Sequence, residues 1–489
     1  MFEHAPFPRS RPRAGSRSRP DPRGAGFAAA TLAVAISGCA SGPVDQAPAV
    51  PSSAHGAFVH RSDPVESAAE PPDDWWRLYD DPVLDRLIAD ALAANTTLRE
   101  AVAHLRRAQA VEAEARAGLW PGTAVSAGAS SGRNPAASGG TGLPPVQWTY
   151  TGQVNLSYEV DLFDRVDQTL KAARSDREAS EGARDAAIVV VVSEVTRAYS
   201  DACAAAASAA VSRQSLDIAG RVLAMARRRH EIGAAPEIDV QRADLAVAQA
   251  RAQLPQWEGQ QAAALLALAA LMGRTPAEIP EAARQCSTVP TPLGPLPVGD
   301  GAGLLRRRPD VRQAERHLAG DLARVGIATA ELYPRVTIGA SGGYTRNDSL
   351  RGSRSWSFGI GPLVSWTFPN RVAVQARLAQ AKADGAASLA RFDSTVLTAL
   401  KETETTLAAY ASAMAQKDAL AVAQDKAAAV FEVARKRYEA GAASELELDL
   451  ARADLTSIAA QVASVEQRVG STRVDVFKAL GGGWASASR

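Results

Sequence analysis

The chain has 489 residues, 46% apolar but only 5% aromatic, and a formal net charge of +1. That length is ample for a large core or several domains, and the alanine-rich apolar content favours helices that pack closely. Six arginines stand in residues 1–23; without them and the two acids there the balance is about −3, so no basic body is left to bind nucleic acid.

Arg9 to Arg23 is basic and Ala25 to Ser37 apolar, the layout of a targeting segment. Ile36-Ser37-Gly38-Cys39 then resembles a bacterial lipobox, in which the cysteine is lipidated and becomes the first mature residue. A plain signal peptide with an incidental cysteine shares the pattern. Residues 1–38 are expected as a lipoprotein signal peptide and Cys39 as the carrier of a covalent lipid. Ala40, rather than an aspartate, follows, which by the common sorting rule favours the outer membrane. Residues 39–72, rich in Pro, Ser and Ala, predict a flexible lipid-anchored tether, with order starting at Asp74-Trp75-Trp76.

Pro82 to Gly118 reads as helix, with Asp81 as cap and Pro82 at the first helical position. It pauses near Asn95-Thr96-Thr97. After Leu119-Trp120-Pro121 the period switches to two. Thr123 to Ala127 alternates weakly, and Ser130 to Pro145 reads as a loop. From Trp148 to Tyr158 aromatic or apolar residues alternate with uncharged polar ones. Arg165 to Ile232 contains no proline and could run about 100 Å as one helix. Gly233 suits a left-handed helix end, and Pro236 to Met272 returns antiparallel.

The order then repeats. Leu332-Tyr333-Pro334 answers Leu119-Trp120-Pro121, and His317-Leu318 answers His104-Leu105 at an offset of 213. Glu439-Ala440-Gly441-Ala442-Ala443 answers Glu231-Ile232-Gly233-Ala234-Ala235 at an offset of 208. Val336 to Ala340 and Trp356 to Leu363 form the second alternating pair, around a loop with Arg346, Asp348, Arg351 and Arg354. Val372 to Ala440 and Ser444 to Leu480 form the second helical hairpin. The predicted division is a first repeat at 73–274, a Pro-rich connection at 275–303, a second repeat at 304–482 and a tail at 483–489.

No later stretch is long and apolar enough for a transmembrane helix, so any membrane crossing must use strands. The alternating pairs fit outer-membrane strands with aromatic ends; a soluble hairpin would show the same pattern. Two hairpins give four strands, too few to close a barrel, and lipid cannot satisfy an open edge. Membrane strands would have to be pooled: two copies give eight, three give 12. Cys203 and Cys286 carry no metal spacing, and free thiols are expected. The six histidines are scattered, and no G-x-S-x-G, HExxH or P-loop motif occurs. An enzyme is not expected, nor a metal or other cofactor.

Several segments together resemble the TolC-like outer-membrane factors, in the lipoprotein branch of OprM- and NodT-type efflux proteins. They are Trp75-Trp76 with Asp81-Pro82, Leu87-Ile88 with Ala91-Leu92 and Asn95, Arg307-Arg308-Pro309-Asp310-Val311 with Ala314-Glu315, and Leu332-Tyr333-Pro334. Gly233 with Asp239-Val240 and Gly441 with Leu446-Glu447 match the paired hairpin tips. The resemblance implies a mixed α and β chain of mostly long helices in an internally duplicated fold. It implies a homotrimer with a 12-stranded outer-membrane β-barrel, continued by a periplasmic barrel of helices. Residues 40–80 and 275–305 and the carboxyl terminus would form an equatorial belt. The implied role is passive export of solute delivered by a periplasmic adaptor and an inner-membrane transporter.

By the same resemblance Asp239 and Glu447 are candidates for the periplasmic gate. The family often has a further aspartate where this chain has Leu450; Asp449 stands one residue earlier, about 100° away on a helix, and is the third candidate. Gly233, Glu237, Gly441 and Glu445 are candidates for adaptor contact, although acids at helix starts also have a purely structural role. The Arg306-Arg307-Arg308 run is expected to be structural. The competing reading is a lipid-anchored periplasmic coiled-coil scaffold or adaptor without a pore.

Overall fold

The computed structural model describes residues 50, 52–60, 66–133, 146–292, 294–348 and 350–482. The expected signal peptide, Cys39 and the 483–489 tail lie outside them. In chain order the elements are β1 (Glu66–Ser67), α1 (Pro82–Ala94), α2 (Thr96–Ala117), β2 (Gly122–Arg133), β3 (Val146–Val160), α3 (Arg165–Glu231), α4 (Glu237–Leu271) and α5 (Glu281–Arg284). They continue with β4 (Leu296–Pro297), α6 (Gly301–Arg307), α7 (Pro309–Ala330), β5 (Arg335–Arg346), β6 (Trp356–Ser365), α8 (Val372–Glu439) and α9 (Glu445–Ala479). Among the described residues no helix is long and apolar enough to cross a membrane.

Local chemistry sets the helix ends. The Asp81 carboxylate accepts from the Val83 and Leu84 N–H groups at 2.8 and 3.2 Å. Asn95 ends α1 and opens α2: its side-chain oxygen accepts from Leu98 N–H at 3.0 Å. Its amide donates to the Leu271 carbonyl at 2.8 Å, which pins the break to the end of α4. The expected pause is thus a capped break between two helices.

The long helices meet through small residues. Ala202, Ala204, Ala205 and Ala209 on α3 are all buried, which lets backbones approach closely. The large apolar groups gather near the middle of the chain's long axis of helices. Trp75 is fully buried and stacks on Phe477 of α9, with ring centroids 4.5 Å apart. Leu84 and Ile88 of α1, Val192 and Val195 of α3, Leu268 of α4 and Leu407 of α8 complete the same core. Burying that set stabilises the chain by roughly 1.5–3 kcal/mol per side chain before entropy is subtracted.

Arg308 is the polar counterpart of this core. It is buried, and its guanidinium donates to Asp310 at 2.9 and 2.6 Å, to Glu402 of α8 at 2.9 Å and to the Ala479 carbonyl at 2.9 Å. One side chain therefore joins the start of α7, the middle of α8 and the end of α9, where a cation suits the helix dipole. The structural role expected of the arginine run holds for this residue.

Three expectations are corrected. First, the stretch expected as a flexible tether is packed in part. Phe58 is buried in the main core, and β1 pairs in parallel with β4. The Val59 and His60 N–H groups donate to the Glu404 carboxylate of α8 at 2.8 and 2.9 Å, and the His60 ring approaches it at 3.0 Å. A Pro-, Ser- and Ala-rich composition signalled mobility, but one aromatic anchor and two backbone donors are enough to dock the segment. Second, Cys203 and Cys286 form a disulfide, with Cα atoms 4.9 Å apart. The connection folds back through α5 onto α3, a juxtaposition that their separation of 83 residues does not reveal. Third, β2 runs on to Arg133, opposite Val146, where a loop was expected from Ser130.

Candidate functional site

β2, β3, β5 and β6 form one antiparallel sheet in the order β2-β3-β5-β6. Because side chains alternate across a strand, the pairing decides which residues share a face. One row across the sheet is Val125, Val154, Gly342 and Phe358; the next is Ser126, Gln153, Gly343 and Ser357. The rows keep alternating in this way, with Leu156, Ala340 and Ile360 on the first face and Asn155, Ser341 and Gly359 on the second. The first face is apolar and uncovered: Phe358 is 94% exposed. The second is small or polar and uncharged for most of its length. Water on the apolar face would cost what the core gains, so this face requires a hydrocarbon environment.

Aromatic rings bracket the apolar band. Trp148 lies against Tyr150 and Tyr344 against Trp356 at the end far from the helices, with centroids 6.3 and 5.0 Å apart. Phe163 stacks on Tyr333 and Trp366 on Phe368 at the helical end, at 4.6 and 4.8 Å. Girdles of aromatic rings mark the two membrane–water boundaries, where the Trp and Tyr rings can turn a polar edge to water. The charged residues of the four strands are Arg133, Glu159, Arg335 and Arg346, all near strand ends. Among the described residues, neither the outer edge of β2 nor that of β6 has a partner strand.

At the opposite end of the helices the two tips share one geometry. Gly233 and Gly441 have φ of +73° and +71°, and the next N–H returns to Arg229 and to Arg437, at 2.7 Å in both cases. A side chain at either glycine would be strained, which explains the glycine at each. The tips differ at the following helix start. Ser444 accepts from the Glu447 N–H at 3.1 Å, whereas Pro236 offers no side-chain cap.

The gate candidates fall into three environments. Asp239 is half-buried and lies 3.8 Å from Arg242 on its own helix. Glu447 is bound by Arg437, which also donates to the Ala442 carbonyl at 3.2 Å. Asp449 is only 3% exposed and 3.3 Å from Arg452. It lines a cavity of about 720 Å³ between the two hairpins, with Ile218 and Val222 of α3 and Gln249 and Gln253 of α4. Burial pushes its carboxyl above the usual aspartate range, although Arg452 and Arg221 pull the other way.

Of the adaptor-contact candidates, Glu237 is exposed in the first turn of α4, and Glu445 lies 4.0 Å from Arg228 at the end of α3. That contact brings the two tips together. Asp239, Glu447 and Asp449 are not gathered into one cluster within the chain. Sequence reasoning named the acids and missed the arginines that hold them. The available signal was the basic last turn of α8, Lys436-Arg437, facing the acidic first turn of α9. No group of metal-ligating side chains occurs among the described residues.

Comparison with known proteins agrees with this architecture. The sequence model of the family described as "Outer membrane efflux protein" matches residues 87–274 and 303–482. The chain is 32% identical to the outer membrane protein OprJ of Pseudomonas aeruginosa, over 94% of this chain and 96% of that one. It is 30% identical to the antibiotic efflux pump outer membrane protein ArpC of Pseudomonas putida, over 93% and 95%. The solved outer-membrane channel OprN superposes with a TM-score of 0.81 at 29% identity, covering 91% of this chain and all of that one.

Proposed function

From the premise that the chain belongs to the outer membrane efflux protein family, we propose that it is the outer-membrane channel of a tripartite efflux system. It conducts solute passively from a periplasmic adaptor and an inner-membrane transporter to the exterior. The observation that carries this reading is the register of the four strands, which sets an apolar face behind a polar one that is uncharged except for Glu159 and Arg335 at the helical end. The polar face lines a lumen and the apolar face meets lipid. Neither outer edge has a partner strand among the described residues, so β6 of one chain pairs with β2 of the next. Three chains supply 12 strands around the lumen, with the helical hairpins continuing it into the periplasm as a second barrel.

In this reading the chain divides into the two repeats 73–274 and 304–482, joined at 275–303, and Cys39 carries the lipid in the outer membrane. The tips close the periplasmic end. Glu447 and Asp239 sit at equal places in the two hairpins, and Asp449 sits in the seam between them. Catalysis has no part in the mechanism; the work is done by the partners.

The test is single-channel conductance of the purified protein in a planar bilayer, read with its mass in mild detergent. A trimer with small cation-selective steps is expected. A monomer that neither inserts nor conducts would overturn the channel and favour a lipid-anchored scaffold.

A further inference from the structure

We infer that the end of the sheet far from the helices is a docking surface for the phosphorylated glycolipid of the outer leaflet, held by Arg133, Arg346 and Arg354. The inference rests on the channel reading, which turns that end outward. By register Arg133 shares a face with Val125 and Ala129, and Arg346 with Gly342 and Tyr344, so both stand on the apolar, lipid-facing side. Arg133 lies just beyond the aromatic belt, two residues past Ser131, which pairs with Trp148, and Arg346 lies at its outer rim, level with Tyr150 and two residues past Tyr344. That is the depth at which headgroup phosphates sit above the hydrocarbon.

The charge there is one-signed. Arg133, Arg346 and Arg354 are exposed, and no carboxylate binds them among the described residues. Asp348 is the acid of the 346–355 turn, and Arg351 takes it at 3.1 Å. Residues 134–145 contain no charged side chain. The polar face at the same height carries Thr149, Thr151, Thr345 and Ser357, all neutral. Cations meant to steer solute would line that face. Arg133 and Arg346 are on the other one, and Arg354 stands in the turn that precedes β6; all are arginine, whose planar fork binds phosphate in bidentate fashion.

The test uses the full-length purified trimer and an R133A/R346A/R354A variant, with R133K/R346K/R354K as the charge-keeping control. Diphosphoryl lipid A, its dephosphorylated form and inorganic phosphate are each titrated while the melting midpoint and bound mass are followed. The expected result is that only the phosphorylated lipid binds and raises the midpoint. The alanine variant should bind it on the order of 100-fold more weakly, with the lysine variant in between. Equal binding by the alanine variant, equal binding of the dephosphorylated lipid, or the same shift from inorganic phosphate would each overturn the docking surface. Conductance on the same samples separates the two readings. A conducting trimer without lipid selectivity sinks the docking surface alone, whereas a wild type that neither inserts nor conducts sinks the channel reading beneath it.

Discussion

The middle of the molecule and its hairpin tips are made from the same helices by opposite means. In the middle, α1, α3, α4, α8 and α9 converge on Trp75, Phe477 and Leu407, and a disulfide and Arg308 cross the seams. At the tips the cores shrink to Leu223 with Ala243 and Val247, and to Leu448 with Ala434 and Ala451. Between the hairpin tips Arg228 and Glu445 form a long ion pair at 4.0 Å, and a cavity lies beside Asp449. Large buried groups fix a geometry because any displacement opens a void. Small stripes joined by exposed ion pairs do not, since such pairs contribute about 0–1 kcal/mol and are screened by salt. The difference separates a part whose packing is fixed by large buried groups from a part whose packing is held by small residues and solvated ion pairs.

Removing the stacked ring should have the largest effect. Trp75→Ala is expected to destabilise by about 3–5 kcal/mol, read as a lower thermal midpoint and lost trimer; Leu448→Ala at a tip should cost clearly less. Equal losses would dissolve the distinction. Breaking the staple comes next. Cys203→Ser with Cys286→Ser, or reduction, should cost about 2–4 kcal/mol, read as a midpoint that depends on reductant. Arg308→Met should cost about 2–3 kcal/mol, below the value for a fully buried pair because Asp310 and Glu402 stay partly in solvent.

The tips should respond in conductance rather than in stability. Arg437→Ala releases Glu447; stability should change by less than about 1 kcal/mol while closed-state leakage rises. An unchanged leak would remove this pair from the closure. The smallest effect concerns pH. Burial holds the Asp449 carboxyl above its ordinary range, so its stabilising contribution is present below the unfolded value and is lost as pH rises through the raised one. Mild acid should therefore tighten the seam, and Asp449→Asn should flatten the pH dependence of leakage. A variant with an unaltered profile would place that titration elsewhere.

Much of this was legible from local pattern. The four long helices were readable to within one or two residues at each end, because Gly233 and Gly441 stop a helix for a backbone reason. The strand alternation was legible too, although only the pairing between β3 and β5 makes the two hairpins agree on one apolar face. What could not be read depended on distant contact. The disulfide joins residues far apart in sequence. Phe58 and Glu404 dock a segment whose composition promised mobility. Arg452 was invisible as a partner of Asp449, since an arginine on a helix surface is ordinary until its neighbour is known.

The open edges of β2 and β6 also bear on inheritance. A subunit whose sheet is completed only by its neighbours cannot fail alone: in a cell making both normal and altered chains, most assemblies would contain at least one altered subunit. Substitutions that spare folding but disturb the tips should therefore be dominant over the normal chain. Substitutions that prevent the middle from forming should be recessive, because such chains never reach the ring.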